Sequence, residues 1–312
     1  MIKPQDCVSH DPDLATHNPD LPHIITGERA LDAFMAEAKR VARDGFGHLA
    51  QFLNAYKYVP DSTPPDDADS AEFAEWQMQL WRTISGRDSY SPEIDERDHN
   101  VAVTVDAARH FPYSTNDPST IGNYFGAIGL IIKALDLRAG DRVVEFGVGW
   151  GHTTLNLARC GYKVTAIDIE GNFLELLRLR AERESLNIRA VRGDFLDLPV
   201  EEASYDAALF FECFHHCIRF KELIERLRAV IRPGGKIVFC GESFYGEWFD
   251  YPWGVRLDGH SVWAIRNFGW MELGFRESYI TALLERLDFN VKKIESPVGP
   301  IGTIFTATAR AR

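Results

Sequence analysis

The chain has 312 residues, 45% of them hydrophobic, with 20 Phe, 10 Tyr and 7 Trp. That furnishes one large α/β domain with additions, or two modest domains, and rules out global disorder. Forty-six acidic residues against 34 basic ones give a formal charge of -12, which sets the surface as a whole against a phosphate backbone and argues against a nucleic-acid partner. No apolar run reaches the roughly 18 residues that a membrane span needs.

The opening stretch MIKPQDCVSHDPDLATHNPDLPH is polar, lacks the apolar core of a secretory leader, and reads as a loose arm to about residue 25. Five scattered cysteines (Cys7, Cys160, Cys213, Cys217, Cys240) suit a reducing cytoplasm better than a disulfide framework. From Glu28 to about Tyr58, apolar residues recur at helical spacing, with Gly45 and Gly47 dividing two helices. PDSTPPDD at 60–67 punctuates, and a further helix is predicted over Ala71–Ile84. Residues 85–117 show little periodicity. Ser119 or Thr120 is placed to cap a helix over Gly122–Leu135. Residues 1–117 therefore read as an arm and a mostly helical addition, and 118–312 as the main domain.

The rhythm changes at Gly140. RVVEFG (142–147), KVTAIDI (163–169), IRAVRGD (188–194), YDAALFF (205–211) and KIVFCG (236–241) are short apolar strands. One-sided helices over Thr153–Cys160, Phe173–Leu186 and Lys221–Ile231 alternate with them, which predicts a mostly parallel sheet covered on both faces. A helix over Phe275–Leu287 precedes the strands FNVKKIES (289–296) and IGTIFTATAR (301–310). Only PVGP separates these two, too little chain for a parallel crossover, so the last pair must be antiparallel. The count is seven strands.

The sharpest local signal is Glu145-Phe-Gly147-Val-Gly149-Trp-Gly151, between a strand and a helix. Glycines there permit a tight turn and let a ligand approach backbone N–H groups near a helix N-terminus. Asp168 ends the next strand, placed to accept bonds from ribose hydroxyls. Two ligands compete, a nicotinamide or flavin dinucleotide and another adenosyl cofactor. The carboxylate of Glu145 immediately before the loop suits a cationic or hydrogen-bonding ligand rather than a diphosphate, and the G-x-G-x-x-G spacing is not met.

E-F-G-V-G-W-G, A-I-D-I (166–169), G-D-F-L-D-L-P (193–199), Y-D-A-A-L-F-F-E-C-F-H-H-C (205–217) and R-P-G-G-K-I-V (232–238) resemble the successive motifs of the class I S-adenosylmethionine-dependent methyltransferases, in their small-molecule branch. The resemblance covers residues 140–241 and extends to the terminal hairpin. It implies a Rossmann-like seven-stranded sheet with an antiparallel last strand, and S-adenosylmethionine as cofactor. It also implies that Glu145, Gly147, Gly149 and Gly151 flank the methionyl portion, Asp168 takes the ribose hydroxyls, Asp194 the adenine amino group and Phe195 the adenine face, with Ile169 and Phe211 also cofactor-binding. In proteins of this build the segment before the first strand touches the methionine end, which nominates Tyr113 and Tyr124.

Methyl transfer to a hydroxyl requires alignment of donor and acceptor and removal of a proton. Glu212, His215 and His216 close the fourth strand, and neutral histidine has the affinity for a proton that a base needs. Residues in the C-x-H-H-C cluster of Cys213, His215, His216 and Cys217 are too tightly spaced for a structural metal site, so none is expected. The stretch 242–275 interleaves ten aromatic rings with charges and reads as a substrate lid, or as a lid whose rings pack on the helical addition. It offers His260 as an alternative base and Arg256 or Arg266 as an anion hook. The expected acceptor is thus a polar small molecule, with an anionic one left open, a sugar or nucleotide-sugar hydroxyl first. Natural-product hydroxyl, nitrogen or carbon methylation, or noncatalytic binding of an adenosyl ligand, are the alternatives. A homodimer through the helical addition stays open.

Overall fold

The computed structural model describes residues 22–97, 101–109, 117–198 and 204–311. They fall into two compact units. One comprises Arg97–Glu242 with Ile280–Arg312; the other comprises the described residues up to Glu96 with Ser243–Tyr279. The sequence places its main boundary at 117/118 and attaches 242–275 to the main domain; by compactness the chain parts at 96/97, 242/243 and 279/280. No helix among the described residues is long and apolar enough to cross a membrane.

The larger unit is built on a seven-stranded sheet: β1 Arg142–Phe146, β2 Lys163–Asp168, β3 Ile188–Arg192, β4 Tyr205–Phe211, β5 Ile231–Cys240, β6 Phe289–Ile294 and β7 Ile304–Ala309. Their order across the sheet is β6-β7-β5-β4-β1-β2-β3, and β7 runs antiparallel to both neighbours. Besides the short helix Val103–Ala107, the helices are α1 Pro118–Leu135, α2 His152–Arg159, α3 Gly171–Arg183, α4 Phe220–Val230 and α5 Glu277–Arg286, the last straddling a unit boundary. The chain order reverses beside β1, which has β2 on one side and β4 on the other. In open α/β sheets that reversal opens a crevice at the carboxyl ends of the strands, and ligands bind there.

Strand alternation sends successive side chains to opposite faces. Val143, Val164, Ala207, Leu209 and Val238 join Ala127, Ile131 and Leu135 of α1 and Leu157 of α2 in one apolar cluster. On the other face Phe146 stacks on Phe210 at 4.6 Å and Phe210 on Phe239 at 5.4 Å, with Phe214 edge-on to both Phe210 and Phe239. Each such ring taken out of water contributes about 1.5–3 kcal/mol.

Some local expectations shift. Asp117, not Ser119 or Thr120, caps α1, its carboxylate accepting from the backbone N–H of both, and Pro118 starts the helix four residues ahead of Gly122. The Pro-Gly-Gly turn does not precede the fifth strand. It lies inside β5 as a bulge, where pairing with β4 slips between Tyr205 and Ala207. The last helix starts at Glu277 because Leu273–Arg276 is a strand.

In the smaller unit the predicted helix pair appears as Gly27–Val41 and Phe46–Asn54, followed by the helix Ala71–Ser85. His23–Ile25, read from sequence as the end of a loose arm, pairs in parallel with Tyr56–Tyr58. The aromatic stretch is folded rather than a loop. Leu273–Arg276 sits between Phe244–Tyr245 and Trp253–Val255, and Gly259–Phe268 is a helix. Its rings pack on the N-terminal helices: Phe73 lies 5.4 Å from Trp253, and the buried amide of Gln77 accepts from Val255 N–H. The Trp81 indole donates to the carbonyls of Gly269 and Trp270. This is the version of the lid in which the rings form the core of the helical addition.

Candidate functional site

The carboxyl ends of β1, β2, β3 and β4 gather most of the residues that the sequence nominates. Glu145 is the penultimate residue of β1 and is buried. Burial holds its carboxyl at about 8; the Thr154 hydroxyl opposes the rise without a hydrogen bond of normal geometry, and the charge of Asp168 adds to it. Its Oε2 is buried without a hydrogen-bond partner. A buried acid in that condition is completed by a cation or a donor from a ligand.

The loop that follows is shaped by absence of side chains. Gly147 has φ of 60°, and a Cβ there would stand 2.7 Å from Cys213 Cβ. Gly149 has φ of 47° and would point a Cβ into open space, so the chain there is bare on the side a ligand would approach. Gly151 opens α2 from a left-handed conformation. Asp168 closes β2 and is buried; its Oδ2 accepts from Gly149 N–H at 3.0 Å and its Oδ1 from Glu170 N–H at 2.8 Å. Burial pushes its carboxyl up to about 6 against those donors. Each oxygen keeps acceptor capacity for a hydroxyl. Ile169 is half-buried in the bend behind it.

After β3, Asp194 caps a short turn, its Oδ1 accepting from Leu196 N–H at 2.6 Å while Asp197 accepts from Asp194 N–H. Phe195 stands edge-on to Phe146 and Phe210, beside Gly147. Phe211 at the end of β4 packs at 5.9 Å on Tyr124, whose hydroxyl donates to Glu212 Oε2 at 3.1 Å. Glu212 itself has φ of 53°, a strained value for a side chain with a Cβ. Tyr113 lies outside the described residues.

The two histidines separate. His215 is fully buried and its Nδ1 lies 2.9 Å from Glu242 Oε2; His216 is half-buried with its ring 4.3 Å from that of His215. The Glu242 carboxylate also accepts from the backbone N–H groups of Cys213, Phe214 and His215. Burial still holds it up, at about 7. Cys213 donates its thiol to the Phe146 carbonyl at 3.1 Å, and burial raises its pKa well above the ordinary value, so it is a thiol and not a thiolate ligand. Glu242 was visible in sequence only as one charge among many in the aromatic stretch. Its place directly after β5 was the available signal.

The remaining nominees belong to the smaller unit and are engaged there. Arg256 is buried and ion-paired with Glu272, donating also to Ser243 Oγ at 2.8 Å and Tyr245 at 3.1 Å. Arg266 pairs with Asp32. As anion hooks both are corrected: each guanidinium already answers a carboxylate of its own unit. His260 Nε2 lies 2.8 Å from Asn54 Oδ1, and burial lowers its pKa.

Residues 143–235 match the family of methyltransferase domains. Those residues carry a methyltransferase domain, on a seven-stranded sheet whose last strand is antiparallel. The demethylmenaquinone methyltransferase of Tropheryma whipplei (strain Twist) is 34% identical over 109 residues, 35% of this chain and 44% of that one. The 27-O-demethylrifamycin SV methyltransferase of Amycolatopsis mediterranei (strain S699) is 33% identical over 106 residues, 33% of this chain and 39% of that one. This chain thus spans less than half the length of both. Among solved structures, the 1,6-didemethyltoxoflavin-N1-methyltransferase of Burkholderia thailandensis, with S-adenosylhomocysteine bound, has a TM-score of 0.47 and 22% identity, over 79% of this chain and 94% of that one. The methyltransferase domain fits its cofactor on residues already described: the orphaned Glu145 Oε2, the bare Gly149 and the buried Asp168.

Proposed function

We propose that this protein transfers a methyl group from S-adenosylmethionine to a hydroxyl of a small molecule, with the His215–Glu242 pair taking the proton. The bond between His215 Nδ1 and Glu242 Oε2, 2.9 Å long in a buried setting, carries the reading. A carboxylate on Nδ1 fixes the tautomer that leaves the lone pair on Nε2, and stabilises the imidazolium formed when Nε2 takes a proton. Three backbone N–H groups hold Glu242 in that place. General-base assistance of this kind is worth about 10²–10⁴-fold in rate.

When bound, S-adenosylmethionine supplies an electrophilic methyl, which the acceptor oxygen takes as the carbon–sulfur electron pair returns to sulfur. Glu145 would receive the ammonium of its methionyl part, the Gly147–Gly151 loop its backbone contacts, Asp168 with Ile169 the ribose, and Asp194 with Phe195 the adenine side, with Phe211 beside Tyr124. Tyr124 and Glu212 border the methyl end. His216, in ring contact with His215, serves as a second base candidate.

A hydroxyl is favoured over nitrogen or carbon because a dedicated proton acceptor is useful there, and a relative named for an O-demethyl substrate is consistent with it. A nucleotide-sugar is not favoured: Arg256 and Arg266 are engaged elsewhere, and the names of the relatives above point to no sugar. Incubation with S-[methyl-³H]adenosylmethionine and a panel of phenolic, polyketide and sugar alcohols tests the reading. Transfer that requires a free hydroxyl and weakens in His215→Asn supports it. Tight binding of S-adenosylhomocysteine with no transfer to any acceptor supports the noncatalytic alternative instead.

A further inference from the structure

One cavity of the larger unit has no part in the reaction just described. It holds about 340 Å³ and lies against the helices rather than at the strand ends. Phe125 of α1 and Leu155 of α2 give it an apolar side; Arg109, Arg159, Arg180 and Arg183 give it a basic one, and Glu184 is the one carboxylate among its described lining residues. In a chain of net charge -12, four guanidiniums around one cavity run against composition.

The arginines are held in place mostly by carbonyls, which orient a guanidinium without cancelling its charge. Buried Arg180 donates to Trp150 O at 2.6 Å, Asp106 O at 2.8 Å and Arg109 O at 3.3 Å. With His152 these engage both of its terminal nitrogens, so it contributes charge rather than an open fork. Arg183 donates from Nη1 to Ala107 O at 2.8 Å. Arg159 pairs with Glu184 and Arg109 with Asp106. Four guanidiniums against those two carboxylates leave an excess of two positive charges. His152, on the same wall, accepts from Arg180 at Nε2 (3.1 Å); burial and the neighbouring Arg180 and Arg159 push its pKa down to about 4, so it adds no further charge near neutral pH.

We propose that this cavity binds a small dianion of the phosphate-monoester class carrying an apolar group, the phosphate facing the Arg183 fork with the charge of Arg180 behind it, and the apolar part facing Phe125 and Leu155. The size is that of a metabolite site, and guanidinium forks match phosphate oxygens in pairs. None of its described lining residues is assigned to the strand-end crevice, so binding there is read independently of methyl transfer. Burying Arg180 without a carboxylate of its own also costs stability that an anion would restore.

The test uses the full chain, with phenyl phosphate as probe and inorganic phosphate beside it, titrated by calorimetry at constant ionic strength. Wild type is expected to bind phenyl phosphate saturably and more tightly than inorganic phosphate. Arg183→Glu, at an exposed helical position, should weaken it by about tenfold or more, the worth of one charge-assisted contact. Arg178→Glu, an equally exposed charge reversal on the same helix that does not line the cavity, should leave binding unchanged. Absence of saturable binding to wild type, binding untouched by Arg183→Glu, or equal weakening by both variants overturns the proposal.

Discussion

The backbone N–H of Gly149 donates to Asp168 Oδ2 at 3.0 Å, which latches the loop after β1 to the end of β2. One carboxylate thus shapes the glycine loop and presents acceptors to whatever lies across it. Asp168→Ala should lower affinity for S-adenosylhomocysteine by about tenfold or more, since it removes a charged acceptor and loosens the loop. Calorimetric titration checks this, and affinity equal to wild type would remove Asp168 from the cofactor site.

Glu242→Gln keeps the size of the side chain and an acceptor for the Cys213 and Phe214 N–H groups, but loses the negative charge beside His215 Nδ1. The expected result is a fall in kcat of about 10²-fold with cofactor affinity little changed. His215→Asn should cost at least as much, and the double variant little more than the worse single one, because the two act as a unit. Additive losses in that cycle would show that the pair is structural only.

Glu145 and Glu242 are held up at about 8 and about 7, both by burial, against 4.5 when the chain is unfolded. The folded state then binds more protons than the unfolded state across that interval. Their stabilisation is complete below about pH 4.5 and is lost as pH rises through 7 and 8. His152, lowered to about 4, works in the opposite sense below about pH 6.5, so the informative window is roughly pH 6.5 to 8. Stability of the ligand-free protein in urea should fall across it, by at most about 1.4 kcal/mol per pH unit for each titrating group. Binding of S-adenosylhomocysteine should release a proton in the same window as Glu145 ionises against the ammonium. Urea midpoints by pH, and calorimetry in buffers of different ionisation enthalpy, measure the two effects; a midpoint that rises with pH contradicts the first.

Phe210→Ala should destabilise by about 3–5 kcal/mol, because the ring is fully buried between Phe146 and Phe239 and its loss leaves a cavity. Trp248, 63% exposed, is the control: Trp248→Ala should shift the urea midpoint little.

The sequence alone determined the larger unit's sheet and the loop at its edge. Apolar strands alternating with one-sided helices, and the four residues PVGP between the last two strands, give a mostly parallel seven-stranded sheet with an antiparallel last pair, because chain reach is a local constraint, while the strand order came from the structure. The glycine loop and Asp168 were equally legible, since a strand, a tight turn and a helix form from consecutive residues. Cap and bulge positions slipped, at Asp117 and at Pro233–Gly235, where neighbouring residues of similar propensity compete.

Only the tertiary structure decided who faces whom. His215 and His216 are adjacent and alike in sequence, yet one is sealed against a glutamate 27 residues away and the other is not. Arg256 looked available for an anion until Glu272, brought beside it by a strand pair within 242–275, answered its charge. The aromatic stretch read as a lid turned out to fold on Phe73, Gln77 and Trp81. Such pairings depend on burial and on distances between segments remote in the chain, and periodicity carries no record of either.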